Sequence, residues 1–96
     1  MKGYWIVKGE ISNLEGFKQY TNVTPNIISK FGGRFIIRAG KNEIVEGNSK
    51  TRNTVIEFPS YQDALSCWHS EEYKAAKKLR EGHAEFDIVV IEGYAS

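Results

Sequence analysis

Strand-like and helix-like segments alternate along this sequence, and their order is the feature that most limits its fold. Four runs rich in β-branched and aromatic residues predict strands, namely Tyr4–Lys8, Arg34–Arg38, Asn53–Phe58 and Phe86–Ile91. Apolar residues spaced by three or four predict a helix from Leu14 to Phe31 and a second helical region from Ser60 to Gly82. The order β-α-β-β-α-β is that of a ferredoxin-like α+β fold, in which two helices cover one face of a four-stranded antiparallel sheet.

Local signals predict where these elements begin and end. Ser12 and Glu15 have the spacing of a capping box at the start of the first helix, and Gly32-Gly33 predicts its end. Ser70 predicts a second helix start, so the second helical region is expected to consist of two segments. We also expect Glu43–Glu46 to form a short additional strand beside the second strand.

The alternation of side chains across a sheet divides the strand residues into two sets. One set is entirely apolar and is predicted to lie under the helices: Trp5, Val7, Phe35, Ile37, Ile56, Phe58, Phe86, Ile88 and Val90. The other set is mixed: Tyr4, Ile6, Lys8, Arg34, Ile36, Arg38, Val55, Glu57, Asp87, Val89 and Ile91. This mixed set is too apolar to face water across a whole sheet, so a second copy of the chain is expected to cover it in a homodimer. The alternative is a monomer with scattered exposed apolar residues.

Length and composition exclude several classes of protein. A chain of 96 residues is expected to form a single domain over residues 1–96. Its 13 Lys and Arg against 12 Asp and Glu leave a net charge of +1, which lacks the basic footprint of a nucleic-acid binder. The sequence has neither an apolar run long enough for a bilayer nor a secretory signal, so we expect a cytoplasmic protein without membrane contact.

Cysteine and histidine give no support for a metal site or a bound cofactor. The lone Cys67 excludes an intrachain disulfide and a multi-cysteine metal site. His69 and His83 have no second ligand at metal spacing. No cofactor is therefore predicted, and both histidines are interpreted as solvated residues at helix ends.

Charged residues of the mixed set are the first candidates for chemistry. Arg34, Arg38 and Glu57 are predicted to lie on neighbouring strands and to project to the same side of the sheet. Arg38 could hold a carboxylate through two parallel hydrogen bonds, and Glu57 could act as a base. The alternative is an ion pair that fixes the register of the dimer.

Aromatic residues on the helices are the second group of candidates. Tyr20, Trp68 and Tyr73 could line a pocket between the helices and the sheet. The same spacing is also typical of an ordinary core, in which the hydroxyl and indole groups would still need hydrogen-bond partners.

Several motifs together resemble the DUF1330 family of small proteins of unknown function. They are Gly32-Gly33-Arg34-Phe35-Ile36-Ile37-Arg38-Ala39-Gly40, Glu46-Gly47, Val55-Ile56-Glu57-Phe58-Pro59-Ser60, Trp68-His69-Ser70-Glu71-Glu72-Tyr73, Arg80 and Ile91-Glu92-Gly93. The resemblance covers nearly the whole chain and implies a dimeric α+β barrel. That superfamily also contains cofactor-free monooxygenases, muconolactone-type isomerases and small-ligand sensing domains, whereas the family itself has no established reaction. The positions that match its recurrent polar and aromatic features are Tyr20, Arg34, Arg38, Glu57, Trp68, Tyr73 and Arg80.

The sequence therefore predicts a homodimer that binds a small anionic or aromatic molecule in a cleft between the helices and the mixed face of the sheet. A cofactor-independent enzyme, monooxygenase-like or isomerase-like, would use Glu57 as its base and Arg38 as an anion clamp. Tyr20, Arg34, Trp68, Tyr73 and Arg80 are the further candidates for ligand binding. The alternative is a ligand-binding or stress-response module without catalysis. RNA binding on the sheet is not expected, because the strands lack the aromatic motif of RNA-recognition domains.

Overall fold

The structure is a computed structural model, and it describes residues 1–95 of the chain. Its elements in chain order are β1 (Gly3–Ile11), α1 (Leu14–Lys30), β2 (Arg34–Arg38), β3 (Arg52–Phe58), α2 (Tyr61–His69), α3 (Glu71–Lys78) and β4 (Ala84–Glu92). The four strands form one antiparallel sheet in the order β2-β3-β1-β4. This arrangement confirms the predicted ferredoxin-like fold, with the second helical region divided into two helices.

Side-chain caps explain where the three helices begin. Asn13 has an extended backbone, and its side chain accepts a hydrogen bond of 3.1 Å from the Gly16 N–H at the start of α1. The predicted cap at Ser12 is therefore wrong by one residue. Ser60 and Ser70 accept hydrogen bonds from the third residue after them and so begin α2 and α3. The Ser70 hydroxyl also donates to the carbonyl of Cys67, so one serine both ends α2 and begins α3.

The segment from residue 39 to residue 51 connects β2 to β3 without a strand of its own. The predicted strand at Glu43–Glu46 is wrong, because Ala39 adopts a left-handed conformation (φ 51°) immediately after Arg38 and turns the chain away from the sheet. Ile44 and Val45 are consequently exposed, and Val45 retains 86% of its accessible surface.

The core lies between the three helices and one face of the sheet, which we call the covered face. Its buried side chains are Trp5, Val7, Ile27, Ile28, Ile56, Phe58, Ala64, Cys67, Tyr73 and Ala76. Trp5 lies at the centre of the core, and its indole N–H donates a 2.8 Å hydrogen bond to the carbonyl of Ala64. Burial raises the pKa of the Cys67 thiol to about 12, so the thiol stays protonated at neutral pH.

A β-bulge in β2 changes which side chains face the helices. Phe35 pairs with Ile56 and Ile37 pairs with Val55, so Ile36 is an extra residue in β2. Ile37 therefore points away from the helices and is 50% exposed. The predictions that Ile37 lies under the helices and that Arg38 lies on the opposite face are both wrong, because they assumed uninterrupted alternation along the strand.

The opposite face of the sheet, which we call the outer face, has no helix over it. Ile37, Val55, Ile6 and Val89 are paired across the four strands and form an apolar row on this face. Four large apolar side chains are exposed in the single chain: Ile36, Ile37, Val89 and Ile91. Within residues 1–95, no helix combines the length and the apolar character needed to cross a membrane.

Candidate functional site

A cavity of ≈ 50 Å³ lies between α1 and the covered face of the sheet. Five aromatic side chains contribute to its walls, namely Trp5, Phe17, Tyr20, Phe35 and Phe86. Aliphatic and threonine side chains complete the lining: Val7, Thr21, Thr24, Ile28, Thr54 and Ile56. The cavity is therefore an apolar space with a few polar groups, which is typical of a small-molecule site.

A glycine in the central strand makes room for one of these walls. Gly9 pairs with Phe86, and a Cβ atom at Gly9 would overlap the Phe86 ring. The ring can therefore lie directly on the sheet, where Phe17 of α1 stacks on it with 5.6 Å between the ring centroids. The missing side chain at Gly9 thus sets the position of the Phe17–Phe86 pair.

Two arginines, Arg38 and Arg52, also line the cavity. The Arg38 guanidinium lies 4.3 Å from the centroid of the Phe35 ring, and that of Arg52 lies 5.3 Å from the centroid of the Phe17 ring. Arg38 faces the cavity because the bulge places it opposite the buried Thr54. Both cations therefore rest on aromatic rings of the site.

Neither of these guanidiniums has a carboxylate partner in the part of the chain that the structure describes. Burial, and then the positive charge of Arg38, lower the pKa of Arg52. Two like charges at one cavity repel each other, and an anion placed between them would relieve this repulsion. The electrostatics of the cavity therefore favour a negatively charged group.

Tyr20 connects the cavity to a second set of polar groups in the core. Its hydroxyl oxygen lies 2.7 Å from the hydroxyl of Tyr73, to which a terminal nitrogen of Arg80 donates over 3.5 Å. Arg80 is only 8% exposed, and its guanidinium lies over the rings of Phe86 and Tyr20 at 4.7 and 5.4 Å. Burial is the largest of the effects that raise the pKa of Tyr20, so its hydroxyl keeps its proton.

The structure separates the seven residues named from the sequence into three places. Tyr20 and Arg38 line the cavity. Trp68, Tyr73 and Arg80 pack behind the cavity, with the Trp68 and Tyr73 rings 5.2 Å apart. The remaining two, Arg34 and Glu57, lie on the outer face. The proposed roles of all seven residues, in ligand binding or in catalysis, stay predictions.

Glu57 is held on the outer face by two hydrogen bonds. Arg34 Nε donates to one carboxylate oxygen over 3.0 Å, and the Tyr4 hydroxyl donates to the other over 3.1 Å. The hydrogen bond from Arg34 is the main reason that the pKa of Glu57 is lowered. Arg38 and Glu57 lie on opposite faces, so the two cannot hold one ligand within the same chain. The predicted cleft against the mixed face is accordingly misplaced, since the cavity lies on the covered face.

Sequence reasoning missed Arg52, because the third strand was predicted to begin one residue later, at Asn53. Thr54, Ile56 and Phe58 all point toward the helices, and alternation carried back by two residues places Arg52 on the same face. The signal was therefore present in the sequence. Among residues 1–95, no group of three or more His, Cys, Asp or Glu side chains is arranged to hold a metal ion.

Comparison with protein families gives a match over nearly the whole chain. Residues 2–94 match the family described as "Domain of unknown function (DUF1330)". The chain belongs to the DUF1330 family. No curated protein matches its sequence.

Solved structures with the same fold are distant from this DUF1330 protein in sequence. A protein of unknown function from Rhodopseudomonas palustris is 11% identical with a TM-score of 0.78, and the match covers 99% of this chain and 84% of that one. A protein from Bacteroides fragilis, described as dimeric and ferredoxin-like, is 20% identical with a TM-score of 0.62 and 96% coverage of both chains. SnoaB, a cofactor-independent oxygenase from Streptomyces nogalater, is 6% identical with a TM-score of 0.65, covering 99% of this chain and 95% of its own. At these identities the similarities establish the fold alone.

Proposed function

We propose that this DUF1330 protein binds a small aromatic carboxylate in the cavity between α1 and the sheet. The observation that carries the proposal is the pair of guanidiniums, Arg38 and Arg52, on an aromatic cavity without a carboxylate partner in residues 1–95. A carboxylate would accept charge-assisted hydrogen bonds from these arginines. A ring would replace water against Phe17, Phe35 and Phe86 and would bury apolar surface there.

The size of the cavity limits the ligand to a small molecule. Each water molecule needs roughly 10–15 Å³ of cavity volume, so the ≈ 50 Å³ of this cavity holds about three to five water molecules. This volume accommodates part of a single aromatic ring, while the carboxylate of the ligand lies beside the guanidinium groups of Arg38 and Arg52. Single-ring carboxylates fit this description better than fused-ring molecules do.

The lining supports binding more directly than it supports acid–base catalysis. Among the described residues, those that line the cavity supply hydroxyls and guanidiniums but no carboxylate, imidazole or thiol. A cofactor-independent enzyme is the second candidate, supported by the fold shared with SnoaB. In that case the protein would consume oxygen or isomerise the bound acid, and Glu57→Gln should retain turnover, because Glu57 lies on the outer face of the sheet and not in the cavity.

We further propose that the protein is a homodimer in which two outer faces pack against each other. The apolar row Ile37, Val55, Ile6 and Val89 supports this arrangement, because it crosses all four strands on a face without helices. The dimeric relative from Bacteroides fragilis supports it as well. The cavity lies on the other side of the sheet, so this dimer would leave it open to ligand.

Calorimetric titration with benzoate at neutral pH tests the proposed ligand class. We expect benzoate to bind more tightly than benzamide, which has a similar shape and no charge. Arg38→Gln and Arg52→Gln should each weaken benzoate binding by about tenfold or more, since hydrogen bonds to charged groups contribute about 1.5–3 kcal/mol. The matched control is Lys41→Gln, which removes an exposed positive charge from the nearby loop and should change the affinity by less than about twofold. Absence of benzoate binding, or equal losses in all three variants, would refute the proposal.

A further inference from the structure

The hydroxyls of Tyr20 and Tyr73 form a pair that shares one of its two protons. The oxygens lie 2.7 Å apart, so one hydroxyl donates to the other. The second proton must be directed elsewhere. Which of the two tyrosines carries it decides what the pair can offer to a ligand.

Arg80 and the burial of Tyr73 determine the direction of this hydrogen bond. A guanidinium can only donate, so the Tyr73 oxygen accepts from Arg80. Tyr73 is 1% exposed, and its hydroxyl is hydrogen-bonded only to Arg80 and Tyr20 in the described part of the chain. If Tyr20 donated to Tyr73, the Tyr73 proton would be buried without an acceptor, which costs free energy. The favoured chain therefore runs from Arg80 to Tyr73 to Tyr20, and it leaves the Tyr20 proton available.

Tyr20 is the member of the pair that lines the cavity, and it is only partly buried. We propose that Tyr20 donates a hydrogen bond to the ligand, and that the preferred ligand is an aromatic carboxylate with a hydrogen-bond acceptor on its ring. This inference rests on the proposed function and adds the second polar group that the ligand must carry. Tyr20 is then a specificity-determining residue, and Tyr73 and Arg80 are positioning residues that act through it.

Arg80 has a further property that fits this role. Its guanidinium is buried against two aromatic rings, and its Nε has no hydrogen-bond partner among residues 1–95. No ion pair joins it to a carboxylate in the same range. The positive charge therefore polarises the hydroxyl chain without being neutralised, which makes the Tyr20 hydroxyl a stronger donor.

Isonicotinate and benzoate are a matched pair of probes for this donor. They have the same shape, and isonicotinate carries a ring nitrogen that accepts a hydrogen bond opposite its carboxylate. In calorimetric titrations at neutral pH, we expect the protein to bind isonicotinate about three- to tenfold more tightly than benzoate, which is the range for one neutral hydrogen bond. Tyr20→Phe should abolish this preference or reverse it, because the ring nitrogen would be buried without a donor. The control Tyr61→Phe, at an exposed position on α2, should leave the preference unchanged.

Tyr73→Phe tests the direction of the hydrogen bond. If Tyr73 donates to Tyr20, as proposed, the Tyr20 hydroxyl proton is already available to the ligand. Tyr73→Phe should then leave the preference for isonicotinate unchanged or weaken it. With the opposite direction, the variant would release a Tyr20 proton that was engaged, and the preference would increase; that result overturns the inference. If the unmodified protein binds both probes equally well, this inference is overturned, whereas the proposed function still stands. If neither probe binds, the proposed function fails and the inference fails with it.

Discussion

Gly9 has no side chain, and this absence allows the Phe86 ring in the wall of the cavity to lie directly against the sheet. Gly9→Ala would place a methyl group in steric overlap with the edge of the Phe86 ring, which is itself stacked on Phe17. We expect this overpacking to lower the free energy of unfolding by about 1–3 kcal/mol. Urea denaturation followed by tryptophan fluorescence measures the change.

Gly40→Ala is the matched control for this substitution. A Cβ atom at Gly40 meets nothing within 4 Å, so its effect should be below about 0.5 kcal/mol. Equal denaturation midpoints for the two variants would show that Phe86 moves aside without cost, and that Gly9 does not position the wall.

Glu57 is expected to make stability depend on pH in the acid range. Hydrogen bonds from Arg34 and Tyr4 help to lower its pKa in the folded protein below the usual value of 4.5. A carboxyl group with a lowered pKa stabilises the fold above its unfolded pKa, and this contribution is lost as the pH falls through the folded pKa. The melting temperature of the unmodified protein should therefore exceed that of Glu57→Gln at neutral pH, and the difference should shrink below pH 4.5. A difference that is constant from pH 7 to pH 3 would contradict this assignment.

At the scale of secondary structure, Ser70 is the single residue between α2 and α3 and caps both helices. Its side chain accepts from the Tyr73 N–H and donates to the Cys67 carbonyl, and these contacts divide α2 from α3. Ser70→Ala should lower the free energy of unfolding by about 0.5–2 kcal/mol, as is usual for loss of a helix cap. Chemical denaturation of this variant beside Ser29→Ala, an exposed position near the end of α1, provides the comparison. If both variants lose the same stability, Ser70 has no special role as a cap.

The same scale shows why the face of Arg38 could not be predicted. The sequence Arg34–Arg38 has three consecutive apolar residues between two arginines, and nothing in it indicates that Ile36 is an extra residue. The bulge depends on pairing with β3 and on the left-handed turn at Ala39, and both are set by the tertiary structure. The face of Arg52, in contrast, could have been predicted, since the alternation of side chains along β3 places Arg52 on the covered face.

At the scale of the whole molecule, the order of the elements could be predicted, and so could the covered face of β1, β3 and β4, because hydrophobic periodicity determines both. The position of the cavity could not be predicted from Tyr20, Trp68 and Tyr73. These three residues have similar helical spacing, but only Tyr20 lines the cavity, and the other two are core residues behind it. The difference depends on how α1, α2 and α3 pack against each other and the sheet, which the sequence of any one helix does not contain.

The proposed dimer can be tested by one substitution on the outer face. Val89 is 56% exposed in the chain, so Val89→Glu should leave the fold intact and place a charge within the proposed interface. We expect light scattering with size-exclusion chromatography to show dimers for the unmodified protein and mainly monomers for the variant. Val45→Glu, on the loop between β2 and β3, is the control and should remain dimeric. A monomeric unmodified protein, or a dimeric Val89→Glu variant, would contradict the proposed interface.

The strand order also determines when the chain can fold during its synthesis. β1 lies inside the sheet, between β3 and β4, and the pairing of Tyr4 with Ile91 joins segments from opposite parts of the chain. A ribosome makes β1 before either of its partners, so both edges of this apolar strand stay unpaired until residues 52–58 and 84–92 have emerged. Until then the newly made chain carries an unpaired apolar segment, and it is during this period, rather than in the finished fold, that the protein is most open to aggregation or to capture by a chaperone.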